Sequence, residues 1–172
     1  TRYASRMAMR FSTNGLVWND AAPPPILAGF LDAVLRGIGQ VMLQNNSYAG
    51  LVFLAGIFWN SPLFACGALL GTVVSTATAT WLGVDRQLVR AGLFGFNGSL
   101  VAIGLLYFLR PDALTWRCVV IAAACSTLVM AALMNLLGAW KIPTLTAPFV
   151  LASLCVFLAP GISGRLHTTH PL

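Results

Sequence analysis

"KIPTLTAPF", residues 141–149, lies late in a chain that is apolar almost throughout. Two prolines (Pro143, Pro148) and two hydroxyls (Thr144, Thr146) are set just where an apolar run begins. Each proline deletes a backbone donor and disrupts a helix interior. The carbonyls that those amides would have paired must bind something else. A segment of this kind offers free carbonyls and hydroxyls at a helix start without carrying any charge.

Working outward, the composition sets the medium. Of 172 residues, 58% are hydrophobic and 8% charged, and the mean hydropathy is +0.83. A water-soluble domain carries about 25% charged residues. Four acids and ten bases cannot cover a water-facing surface, so the chain is expected to be a multi-pass membrane protein in a lipid bilayer, with a bacterial inner membrane as the expected location. The net charge of +6 does not imply nucleic acid, because the basic residues are scattered. Arg2, Arg6, Arg10, Arg86, Arg90, Arg110, Arg117, Lys141 and Arg165 fall outside or at the ends of apolar runs, where cations anchor topology.

No metal and no cofactor are expected. Cys66, Cys118, Cys125 and Cys155 all lie within apolar runs and form no CxxC pair, which reads as buried free thiols packing as small hydrophobes. The closing "HTTH", residues 167–170, has a metal-like spacing but no third ligand nearby, and reads as a polar tail. An enzyme is not expected: no Ser-His-Asp set lies in the apolar runs, and the chain has no Glu. No signal-peptide pattern is read in the opening residues, and a first residue of Thr1 is consistent with a processed or trimmed product.

The organisation reads as residues 1–25, a polar N-terminal segment ending in "APPPI"; residues 26–160, the transmembrane part; and residues 161–172, a polar tail. The expected class is all-α, with about five crossings plus one re-entrant helix. The re-entrant candidate is 26–44, where Asp32, Arg36, Gln40 and Gln44 recur every fourth residue along one face. A segment with two central charges is a poor free-standing span and fits better inside protein. The apolar segments are 47–60, 61–82, 87–109, 114–140 and 142–160, separated by "NSP", "GVDR", "LRPD" and "WKIP". A crossing needs about 20 apolar residues, which the second, third and fourth reach. An odd number of crossings puts the two ends on opposite sides, so that a tandem duplicate would be inverted. No repeat is found within the chain.

Besides the Gln40 face, two polar interruptions stand out. In "GLFGFNGSLVAIG", residues 92–104, Gly92, Gly95 and Gly98 permit close approach or a break in the helix. Asn97 is placed to satisfy backbone freed by such a break, and Phe96 and Leu100 share one face. The other is the proline segment. Taken singly, each has a plainer reading: glycines for tight helix packing, Asn97 as glue between helices, prolines well placed at a helix start. Taken together, they suit a narrow pore for a small neutral polar solute.

"GQVMLQNN", "GLFGFNGSLVAIG" and "IPTLTAPF", in this order and spacing, resemble the urea transporter family. The last is similar to its LPxxTxPF signature, with Ile142 for the leading Leu, and the resemblance runs from about Pro25 to Pro160. It implies two inverted repeats, each of five crossings and a re-entrant helix, with complete pores assembled as a homotrimer; this chain corresponds to one repeat. It further implies passive passage of urea, with Gln40 at the pore mouth, Phe96 and Leu100 in a flat apolar slot, and Thr146 at the narrow middle. Asn97 and Phe149 fall among the pore positions, and Gly95, Gly98, Pro143 and Pro148 belong to the structural motifs. Leu43 stands where the family generally has Phe, leaving the aromatic clamp at the mouth incomplete. A channel for short amides or ammonia, and a membrane subunit with no pore, are the competing readings.

A second repeat half, either a separate chain or an antiparallel copy of this one, is expected to cover the polar faces. If crossings alternate as drawn, Arg2, Arg6, Arg10, Arg86, Arg90 and Lys141 share one side and Arg110, Arg117 and Arg165 the other. That bias favours one fixed orientation, and hence a separate second half.

Overall fold

A computed structural model describes residues 10–12, 15–17, 26–163, 168 and 169. The expectations for the remaining parts of the two terminal segments, including Arg2, Arg6, Arg165 and the two histidines, lie outside the described residues. The architecture is helical. One antiparallel ribbon, β1 (Arg10–Ser12) with β2 (Gly15–Val17), precedes seven helices among the described residues: α1 (Ile26–Gln40), α2 (Ser47–Asn60), α3 (Pro62–Trp81), α4 (Arg86–Arg90), α5 (Gly95–Phe108), α6 (Ala113–Gly138) and α7 (Ala147–Ser163).

Three of the four separators supply a helix cap, as does Asn46 ahead of α2. Asn46 accepts from the Tyr48 and Ala49 amides at 2.8 and 3.3 Å, Ser61 from Phe64 at 3.4 Å, Asp85 from Gln87 at 2.8 Å and Asp112 from Thr115 at 2.7 Å. Each satisfies donors that a helix start leaves unpaired. Pro62 follows Ser61 directly, at the one helical position where a missing N–H costs nothing.

Two helices, α3 and α6, are long and apolar enough to cross a bilayer by length and composition; α2, α5 and the 147–158 part of α7 are shorter apolar helices. The span expected over 87–109 is divided. Residues 86–90 form the short α4, the chain turns through Gly92 at φ +76°, and α5 restarts at Gly95. A side chain at Gly92 would overlap the backbone of Arg36 and Gly37, so the glycine serves both the turn and the contact with α1.

The face that α3 buries is built from small residues. Helix α3 buries Ala65, Ala68, Thr72, Ser75, Thr76 and Ala79, a stripe at helical spacing, and packs most extensively on α5. A Cβ at Gly98 would overlap Ser75 Oγ and the Gly71 carbonyl, so the α3 and α5 backbones nearly touch, as small residues allow in membranes. The hydroxyls of Ser75, Ser126 and Thr127 converge on the Ala123 carbonyl at 2.8, 2.8 and 3.3 Å, tying α3 to α6. Large apolar side chains point outward: Ile121 and Leu128 on α6, and Trp59, Trp81 and Trp140 at or just beyond helix ends, where indoles sit at membrane interfaces.

The cysteines correct one expectation. Cys66, Cys125 and Cys155 are exposed and Cys118 is half-buried. In a bilayer the outside is as apolar as the inside, so a small hydrophobe gains nothing from facing inward.

Candidate functional site

Helix α1 carries the first polar stretch. Its Asp32–Arg36 pair closes at 2.7 Å one turn apart, and the Arg36 guanidinium donates to the carbonyl and side-chain oxygen of Asn45 at 3.0 and 2.8 Å. The charges on this face are thus spent on each other and on holding the loop that follows. Helix α1 ends at Gln40, so the four-residue face expected to continue to Gln44 stops there. Residues 41–43 turn, Leu43 adopts φ +58° and is 77% exposed, and Gln44 leaves the helix.

Gln40 is buried, and its Nε2 donates to the Ala91 carbonyl at 2.8 Å, just ahead of the second glycine-rich stretch. That stretch opens α5 with no side-chain cap, Phe94 being the N-cap residue. Phe96 is buried with Ala79, Phe94 and Met130, and Leu100, half-buried, packs against the same cluster. The shared face expected for Phe96 and Leu100 is therefore present, and it is the inner edge of a packed cluster.

Asn97 is fully buried. Its Oδ1 accepts from the Phe149 N–H at 3.2 Å, and its Nδ2 donates to the Leu145 carbonyl at 3.4 Å and to Met130 Sδ at 3.7 Å. The second and third motifs are thus bonded to each other across 48 to 52 residues of chain. The proline segment itself turns sharply, with Leu145 at φ +44°. Pro148 and Thr144 are buried, Phe149 is half-buried beside Gly104, and Leu145, Thr146 and Pro143 are exposed.

The two threonines therefore separate. Thr144 Oγ1 is buried and donates to Met130 Sδ at 3.0 Å, so it is not the free hydroxyl the sequence led one to expect. Thr146 is exposed on the surface of this chain. Met130, which receives both Asn97 and Thr144, escaped sequence reasoning altogether, since a methionine within an apolar helix carries no polar signal. Away from these motifs, a groove of about 340 Å³ between α6 and α7 is lined by Cys118, Ile121, Cys125, Leu151 and Cys155 and offers a small polar solute nothing to bind.

The sequence of the chain is similar to known proteins. Rat (Rattus norvegicus) urea transporter 1 is 36% identical over 150 residues, covering 86% of this chain and 38% of the relative. The mouse (Mus musculus) protein of that name is 35% identical over the same shares, and the sheep (Ovis aries) one 36% over 135 residues, covering 77% and 35%. The chain thus spans less than two-fifths of the length of these relatives. The urea transporter family model matches residues 31–172, which include all three motifs and their mutual bonds, and the chain belongs to the urea transporter family.

Proposed function

We propose that this chain supplies part of the wall of a narrow, passive, channel-like pathway for urea, driven by the solute's own gradient. The observation that carries the reading is the linkage of the three motifs. Gln40 bonds the chain just before α5, and Asn97 on α5 bonds the start of α7. Segments far apart in sequence are thus tied to one another around α5. Urea has four N–H donors and one acceptor, so a row of oxygens along a pore wall replaces its water shell. Apolar walls reject hydrated ions, which lose too much solvation.

In this reading the Thr146 hydroxyl and nearby carbonyls contact the solute, Gln40 and Leu43 lie toward one mouth, and Phe96, Leu100 and Phe149 shape the apolar slot. Thr146 is exposed in this chain, and a polar group left against lipid costs several kcal/mol. A second repeat, inverted relative to this one, covers it, and complete pores associate as trimers. Helix α1, with its internal charge pair, is the re-entrant element.

The test is Thr146→Val with urea flux measured in proteoliposomes. The two side chains have nearly the same shape, so hydrogen bonding alone is lost, an effect of about 1–3 kcal/mol. Urea flux is expected to fall by tenfold or more while the protein remains folded. Unchanged flux through well-folded Thr146→Val removes Thr146 from the pathway.

A further inference from the structure

Four N–H positions open α7, and their partners can be followed one by one. Ala147 N–H goes to the Thr144 carbonyl at 3.2 Å, Pro148 has none, and Val150 N–H goes to the Thr146 carbonyl at 3.1 Å. The remaining one, Phe149 N–H, is a first-turn donor with no partner inside α7, which begins at Ala147. The N–H ends on Asn97 Oδ1, and Asn97 Nδ2 in turn reaches the Leu145 carbonyl in the turn just ahead of the helix. The carboxamide of a distant helix has been inserted between the turn and the first turn of α7.

A primary amide is the side chain suited to this place, because it presents one acceptor and one donor in a plane, as a peptide unit does. Aspartate would keep the acceptor and lose the donor, and leucine would lose both. The insertion coincides with the left-handed conformation of Leu145, which a non-glycine residue holds only when its surroundings over-determine it. The turn rests on buried groups beneath it: Asn97 on α5 is 0% exposed, and Met130 Sδ on α6 accepts from Asn97 and from Thr144, the residue before Leu145. Burial within this chain cannot be undone by adding a second unit. Asn97 is therefore shut away from any solute, whereas Thr146, one residue beyond the strained turn, is not.

We infer that Asn97 is a positioning residue: it clamps the turn at Leu145 and so fixes the direction in which Thr146 and the neighbouring carbonyls are presented to the solute. This rests on the urea-channel reading for its solute, but the clamp itself does not. Removing the clamp should weaken the solute's hydrogen bonding more than it slows passage.

The experiment compares wild-type chain, Asn97→Ala, and the double variant Asn97→Ala with Leu145→Gly, all as full chain in lipid. Glycine accepts a positive φ without strain, so the double variant should hold the turn with less help from the clamp. In proteoliposomes, Asn97→Ala is expected to raise the half-saturating urea concentration by roughly tenfold, the worth of about one hydrogen bond, with maximal flux little changed. The double variant should recover part of that loss. Hydrogen exchange of the amides of residues 145–150 should quicken in Asn97→Ala relative to those of α5. An unchanged half-saturation in folded Asn97→Ala, or no recovery in the double variant, overturns the proposal. If Asn97→Ala does not fold, Asn97→Leu, which loses both hydrogen bonds but fills the space, takes its place, with the same readings expected and the same ones overturning. A wild-type chain silent to urea overturns the channel reading alone, and the exchange measurement then decides the clamp: unquickened exchange at 145–150 refutes it.

Discussion

At the start of α6, Asp112 takes the Thr115 N–H at 2.7 Å from three residues away; at the start of α7, the Phe149 N–H goes to Asn97, 52 residues back along the chain. Both helices open after a proline-containing separator, and both leave donors to be satisfied. The α6 cap is complete as soon as its own turn forms. The α7 cap exists only after α5 has docked beside it. A local cap stabilises a helix wherever that helix goes. A remote cap makes the conformation of one segment depend on the position of another, so the start of α7 can keep a shape that its own sequence would not maintain.

The comparison breaks most completely if α5 is pushed away. Gly98→Val places atoms where Ser75 Oγ and the Gly71 carbonyl already are. The backbone oxygen cannot yield as a flexible side chain would, and a cost of about 3 kcal/mol or more is expected. The measurement is recovery of monodisperse protein in detergent, and a normal yield would show that α3 and α5 need not approach so closely.

Next in size is Asn97→Ala compared directly with Asp112→Ala. The first leaves the part-buried Phe149 N–H and the Leu145 carbonyl without their partner and empties a buried side-chain site, at about 1–3 kcal/mol in all. The second removes an ordinary N-cap worth about 1 kcal/mol. Thermal unfolding in the same detergent should rank Asn97→Ala as clearly the less stable. Equal midpoints would mean that the remote cap is no more consequential than the local one. The smallest effect sharpens the point: Ser61→Thr keeps a capping hydroxyl for the Phe64 N–H and should change stability by only a few tenths of a kcal/mol, because Thr caps nearly as well as Ser.

Much of this was readable from residues. Sparse charge and high hydropathy specify a bilayer, because no arrangement of so few ionic groups can dress a water-facing surface. The separators could be found because capping is a short-range affair of a few residues, and Asn46, Ser61, Asp85 and Asp112 all act on amides two or three positions ahead. The break ahead of α5 was announced by its glycines, although the separate α4 was not. The charged face of α1 was legible as a face but not in its use, since spacing brings Asp32 and Arg36 together without showing that Arg36 also reaches Asn45.

What the sequence determined by itself, then, is the medium, the helical class, the helix starts and the three polar motifs that carry the family resemblance. Only the tertiary structure decided which way each helix faces and which motif bonds which. In water, hydrophobic contrast identifies the inward face; in lipid both faces are apolar and the contrast vanishes. The cysteines, expected inside, therefore lie mostly outside, while small residues line the contact of α3 with α5. Thr144 and Thr146 look equivalent two residues apart in the sequence, yet one is buried against Met130 and the other is exposed. That division depends on a turn held open by Asn97, and no local pattern encodes a hydrogen bond whose partners meet only when α5, α6 and α7 pack together.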